Sequence, residues 1–202
     1  MNIDNITEDL LIVDYTEYHQ KHPAEILPSD GVMFIESPDP RLGAFCILNP
    51  NHHPYSAINL ETNPGLVTDE KGQAVKQCEC ICCAHRTEGR RWIMLLELKY
   101  CEKDNIPDNM QNALEKLEKC YDFLNEKKQY FDGCQYKVYI CASHPEHEVS
   151  EPFGSFIYNQ DRLLDLKEKK SINLLYCNAV KILTPEHLQQ SKVPHKYQFV
   201  RK

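Results

Sequence analysis

The sequence predicts a mixed α/β (α+β) fold: a mixed β-sheet flanked by helices, in a single domain spanning 1–202. Three observations carry this. Two β-patterned runs, 74–86 and 90–100, are separated only by 87-TEG-89. A long stretch with helical apolar spacing follows over 109–131, and a third strand pattern, 136-YKVYICA-142, comes after it. Strand, strand, helix, strand is the order of a hairpin followed by a crossover helix that returns to the same sheet.

Each element has a local reason. In 109–131, Met110, Ala113, Leu114, Leu117, Cys120, Tyr121 and Leu124 recur at helical spacing. Asp108 or Asn109 is an expected N-cap and Gly133 an expected stop. Residues 160–170 predict a short helix, and 172-INLLYCNAVKIL-183 one or two strands. Toward the N-terminus, Leu10, Leu11, Val13, Tyr15 and Tyr18 are partly periodic and predict a helix over 9–22. The Pro-rich stretch 27–56 holds two short apolar runs, Val32–Ile35 and Ala44–Leu48, that predict strands. Residues 1–65 read as an N-terminal elaboration of unassigned role. There is no internal repeat and no low-complexity linker.

The composition bounds the function. Of 202 residues, 42% are hydrophobic and 26% charged, with a net charge of -7. That balance argues against a broad electrostatic grip on DNA or RNA. The basic runs 126-EKK-128, 167-KEKK-170 and 201-RK-202 could contribute to a local basic face, but read first as solvated helix faces or a tail. The acidic N-terminus lacks a secretory signal, and no apolar run approaches a membrane helix, so a cytoplasmic protein without membrane contact is expected. The ten cysteines are then expected to be reduced.

The chemistry lies in the stretch 91-RWIMLLELKYC-101. Apolar residues run from Trp92 to Leu96, and then Glu97 and Lys99 appear two positions apart. A three-residue hairpin loop favours a left-handed residue at its third position, where Gly89 stands. On that register paired positions sum to 176, so Glu79 lies opposite Glu97 and shares a face with Glu97 and Lys99. A two- or four-residue loop would turn Glu79 to the other face. Two facing carboxylates raise each other's proton affinity unless a cation sits between them. A divalent ion with oxygen ligands answers that, and the lysine would stabilise developing negative charge. The alternative is a sheet edge where Glu97 and Lys99 merely reach solvent.

The segment 78-CECICCAHRTEGRRWIMLLELK-99 resembles the core of the PD-(D/E)xK nuclease superfamily, the restriction-endonuclease-like fold. There, an acidic residue on one strand is followed by (D/E)-x-K on the next, and a helix and another strand complete the core. The resemblance covers about residues 74–142. It implies that Glu79 and Glu97 bind magnesium or manganese, with the Leu98 carbonyl a further ligand. It implies that Lys99 assists attack of water on a phosphodiester, with nucleic acid as partner and DNA favoured over RNA. The chain departs from the pattern in having Glu79 rather than Asp, and Cys78 rather than Pro before it. Glu61 and Glu17 are candidates for an acidic residue on an earlier helix, and Gln111 for a polar residue opening the long helix. These departures leave open a catalytically inactive, nuclease-like interaction protein, such as a partner or inhibitor in a bacterial defence system.

Other clusters are weaker. In 78-CECICC-83, Cys78, Cys80 and Cys82 alternate onto one face and Glu79, Ile81 and Cys83 onto the other. Cys80 and Cys83 have zinc-ligand spacing, but no second pair follows. Packing against the long helix, beside Trp92, Leu96 and Leu98, accounts for these thiols better than zinc. Cys83 with His85 would suit a nucleophile and base but has no further support. The histidines of 52-HH-53 and 144-HPEHE-148 read as solvated loop residues rather than metal ligands.

Overall fold

The computed structural model describes residues 2–69, 71–73, 77–85, 89–126, 136–149, 152–156 and 159–200. Among them run eleven strands: β1 Asn2–Ile6, β2 Leu10–Asp14, β3 Val32–Ile35, β4 Phe45–Leu48, β5 Tyr55–Asn59, β6 Cys80–Ala84, β7 Arg91–Leu98, β8 Tyr136–Ser143, β9 Asn173–Tyr176, β10 Ala179–Thr184 and β11 His187–Gln190. The α-helices are α1 Thr16–Lys21, α2 Ile106–Glu126 and α3 Gln160–Leu164, the last continued by a π-helical turn over Asp165–Lys169.

The strands form two sheets. The larger has the order β1-β5-β6-β7-β8-β9, the smaller β11-β10-β4-β2-β3. In the larger, β5, β6 and β7 are antiparallel, while β8 joins β7, and β9 joins β8, in parallel. The parallel step follows from α2, which carries the chain back across the sheet. The mixed α/β architecture expected from the sequence is therefore present.

The layers follow from side-chain alternation. Ile81, Ile93, Leu95 and Ile140 face the α2 residues Met110, Ala113, Leu114 and Leu117 in one buried cluster. Cys80, Cys82, Trp92, Met94, Leu96 and Leu98 face the smaller sheet in the other, against Ile12, Phe45 and Ile47. The larger sheet is thus covered on both faces. That explains why β7 reads as an almost unbroken apolar run.

Several local expectations change. Residues 9–22 do not form one helix. Leu10–Asp14 is a strand with every residue buried, and only Thr16–Lys21 is helical. A short run of consecutive apolar residues suits a strand buried on both faces, and its apparent helical periodicity was incidental. Helix α2 begins at Ile106, directly after a 3-10 turn over Lys103–Asn105, so neither Asp108 nor Asn109 is its cap. Strands β1, β5 and β11 had no separate sequence signal. Within the expected 74–86 strand, residues 77–85 are described, and of these only Cys80–Ala84 is strand. Residues 74–76 and 86, the hairpin residues Thr87 and Glu88, and the expected stop Gly133 lie outside the described residues.

The hairpin register agrees with the sequence reading. Cys80 pairs with Leu96, Ile81 with Leu95, Cys82 with Met94 and Cys83 with Ile93, each summing to 176. Gly89 has φ +78°, the left-handed conformation that favours glycine.

Candidate functional site

The strongly charged end of β7 lies where the two sheets and α2 meet. An open cleft of about 350 Å3 is lined there by Asp14 from β2, Glu17 and Lys21 from α1, Glu61, Glu79, Leu98, Lys99, Tyr100 and Lys116 from α2. Strand β7 runs into this cleft because its apolar half is held in both cores, leaving its last residues fixed at the rim.

Glu97 lies beneath the cleft with no exposed surface. Its Oε1 receives two ammonium groups, Lys99 Nζ at 2.5 Å and Lys116 Nζ at 2.5 Å. Its Oε2 is buried and has no hydrogen-bond partner among the described residues. Burial pulls the Lys116 ammonium toward its neutral form, but the Glu97 carboxylate outweighs this and holds its pKa above the ordinary lysine value.

Glu79 arrives by a break in the strand pattern. Its amide donates to the Leu96 carbonyl at 3.1 Å, and its own carbonyl accepts from the Leu60 amide at 2.9 Å. Its side chain reaches β7, where Oε2 accepts from the Leu98 amide at 2.6 Å. Burial is the main cause that pushes its pKa well above the carboxylate range, and the nearby Glu97 and Asp14 charges add to it. Lys99 and the Leu98 hydrogen bond oppose the shift without reversing it.

Upstream of Glu79 the expected alternation fails. Cys78 lies in the helix-side cluster with Ile81, whereas Cys80 and Cys82 lie between the sheets. The Cys78 amide donates to Cys120 Sγ on α2 at 3.0 Å, which turns this residue toward the helix. Accordingly Trp92, Leu96 and Leu98 pack with Cys80 and Cys82 between the sheets, not against α2.

The structure therefore gathers Glu79, Leu98 and Lys99 at the cleft wall, with the Glu97 carboxylate behind Lys99. Both earlier acidic candidates, Glu17 and Glu61, line the same cleft. Glu61 Oε2 also accepts from the Val32 amide at 2.8 Å. Burial raises the Glu17 carboxyl, and Lys21 and Lys99 partly offset it. Asp14 Oδ1 accepts from the Thr16 amide at 2.8 Å, which ties the start of α1 to the end of β2. Gln111 points elsewhere, donating to the Phe156 carbonyl.

Lys116 and Asp14 escaped the sequence reading, yet both carried a signal. Lys116 falls three residues after Ala113 and four before Cys120, beside the apolar stripe of α2. Asp14 ends the buried run Leu10–Val13 as Glu97 nearly ends β7.

The remaining clusters have structural surroundings. Cys80 faces the inter-sheet core, while partly buried Cys83 packs on the helix side, so their side chains diverge. His85 Nε2 contacts Ser56 Oγ, which donates to Asp4 Oδ1 at 2.9 Å. His144 is not a solvated loop residue. It is fully buried after β8, its Nδ1 is 3.9 Å from Cys101 Sγ, and burial pushes its pKa down to about 4.

Magnesium is usually held by one or two carboxylates, with water or substrate oxygens completing the octahedron. The carboxylate oxygens near the cleft that could serve such an ion are those of Glu79, which lines it, and the buried, unpartnered Glu97 Oε2. Among the described residues, no group of three or more His, Cys, Asp and Glu side chains is arranged to hold a metal ion. Also among them, no helix is long and apolar enough to cross a membrane. In comparisons with known proteins, no family, no curated protein and no solved structure matches the chain.

Proposed function

We propose that this protein is a metal-dependent nuclease of the PD-(D/E)xK type, hydrolysing phosphodiester bonds in nucleic acid. One observation carries the reading: Glu79 and Lys99 line one open cleft, and Glu97 is ion-paired to Lys99 directly behind it. The chain order supports it, since antiparallel β6 and β7 are followed by α2 and a parallel β8. The acidic Glu17 and Glu61 at the same cleft support it further.

A bound magnesium or manganese ion would polarise the phosphoryl oxygens and lower the pKa of an attacking water. Glu79 and Glu97 would hold it, with the Leu98 carbonyl a further oxygen. Lys99 would turn its ammonium toward the phosphate and offset charge developing there. The buried strand β7 fixes the backbone from which the Lys99 side chain departs, which is a positioning contribution. DNA is favoured over RNA as substrate.

The test uses the purified chain with plasmid DNA, single-stranded DNA and RNA. Cleavage should require magnesium or manganese, stop on chelation, and be lost in Glu97→Ala and Lys99→Ala. Activity that survives either substitution sinks the assignment.

A second reading is an inactive, nuclease-like interaction protein. It is favoured by the closed pairing of Glu97 Oε1 with two ammonium groups, which neutralises the carboxylate without a metal. Absence of any divalent effect on thermal stability, with a stable complex to another protein, would select it.

A further inference from the structure

The two lysines that meet Glu97 come from different places. Lys99 immediately follows β7, two residues from Glu97, whereas Lys116 stands on α2 and reaches the same oxygen from the helix layer. Both Nζ atoms stand 2.5 Å from Glu97 Oε1, and both side chains also line the cleft. Lys99 is 14% exposed and Lys116 25%, while Glu97 has no exposure. A buried carboxylate needs a cation, but one ammonium would suffice to pair it. With a single lysine, any move of that ammonium toward a phosphate would leave the buried Glu97 with no ammonium partner and a metal ion as its sole counter-charge. With two, one can leave while the other stays.

We propose that Lys116 is a positioning residue: it keeps Glu97 paired when the Lys99 ammonium leaves Oε1 for a phosphate in the cleft. The inference rests on the nuclease reading for its phosphate. The helix supports the division of labour. Lys116 is anchored on a long helix whose apolar stripe is packed into the core. Lys99 follows the last residue of β7, so its side chain departs from the strand's rim.

The test compares the full chain with Lys116→Met and Lys116→Arg. The first readout is modification of the Lys99 amine by a small acylating reagent, followed by mass spectrometry. In Lys116→Met, Lys99 becomes the sole partner of Glu97 and should be labelled several-fold more slowly than in the wild type, with Lys116→Arg close to wild type. A merely structural role would loosen the site and speed the labelling. The second readout is steady-state cleavage with manganese. Lys116→Met should lower kcat by about 10–100-fold, the usual size of an outer-layer loss, with KM changed far less, and Lys116→Arg should restore most of it. Labelling of Lys99 that is unchanged or faster in Lys116→Met overturns the proposal, whatever the activity. Wild-type protein that cleaves nothing, with slowed labelling in Lys116→Met, overturns the nuclease reading and leaves the pairing role of Lys116 supported.

Discussion

The Glu79 carboxylate and the Leu98 amide are joined across the β6–β7 hairpin, with Oε2 accepting from the Leu98 N–H at 2.6 Å. This bond ties the acidic residue of one strand to the backbone between Glu97 and Lys99. Burial and the neighbouring Glu97 and Asp14 charges nevertheless favour the protonated form of Glu79. The folded protein thus keeps a proton that the unfolded chain releases near the ordinary glutamate pKa of about 4.3. Above that pH the native state binds more protons than the unfolded state, so stability falls as pH rises, up to the raised folded pKa. Glu79→Gln should flatten this decline and give the more stable protein at neutral pH without divalent ions. Thermal melts from pH 4 to 9 will show it. A variant whose melting temperature declines as steeply as the wild type's would contradict the assignment of that proton to Glu79.

Glu97→Gln should destabilise the fold. It leaves the Lys99 and Lys116 ammonium groups converging on a neutral amide. Removing one member of a buried ion pair costs roughly 3–5 kcal/mol, and the partial exposure of both lysines lowers this to about 2–3 kcal/mol. In a chain of this size the melting temperature should fall by about 4–12 °C. Adding Lys116→Met should recover part of the loss, because the two positions share one interaction. A double variant less stable than the sum of the two single losses would contradict the pairing.

Gly89→Ala should cost about 1–2 kcal/mol, because φ +78° places a Cβ against the backbone. The penalty falls on the hairpin that sets the register of Glu79 against β7. Urea denaturation measures it. Gly89→Asn should cost less than Gly89→Ala, since asparagine tolerates the left-handed region better.

Trp92 is the single tryptophan and is fully buried between the sheets, its ring centroid 6.1 Å from that of Tyr55. Its emission should be blue-shifted in the native state and move to the red in a single transition on unfolding. Trp92→Ala should cost about 3–5 kcal/mol by opening a cavity between the sheets. Tryptophan emission that reaches the solvent-exposed wavelength before the far-UV signal is lost would show that the inter-sheet core melts separately.

The residue pattern alone specifies the central part of the larger sheet. Gly89 implied the three-residue turn, the turn implied the register observed from Cys80–Leu96 to Cys83–Ile93, and that register leaves Glu79 just before β6, beside the end of β7. These are local relations, governed by backbone conformation and side-chain alternation, and a one-dimensional pattern carries them. The apolar stripe of α2 was legible for the same reason. The rest depends on how distant segments pack. Leu10–Asp14 is a strand because both its faces find cover, a fact its five residues do not contain. Cys78 abandons the alternation because Cys120, 42 positions away, receives its amide. Lys116 meets Glu97 across a helix–sheet interface, and Asp14, Glu17 and Glu61 reach the cleft from segments distant in the chain. Long-range partners of this kind are set by how the layers pack. Packing brings a second ammonium group to Glu97 and so changes an isolated Glu-x-Lys motif into a buried charge network.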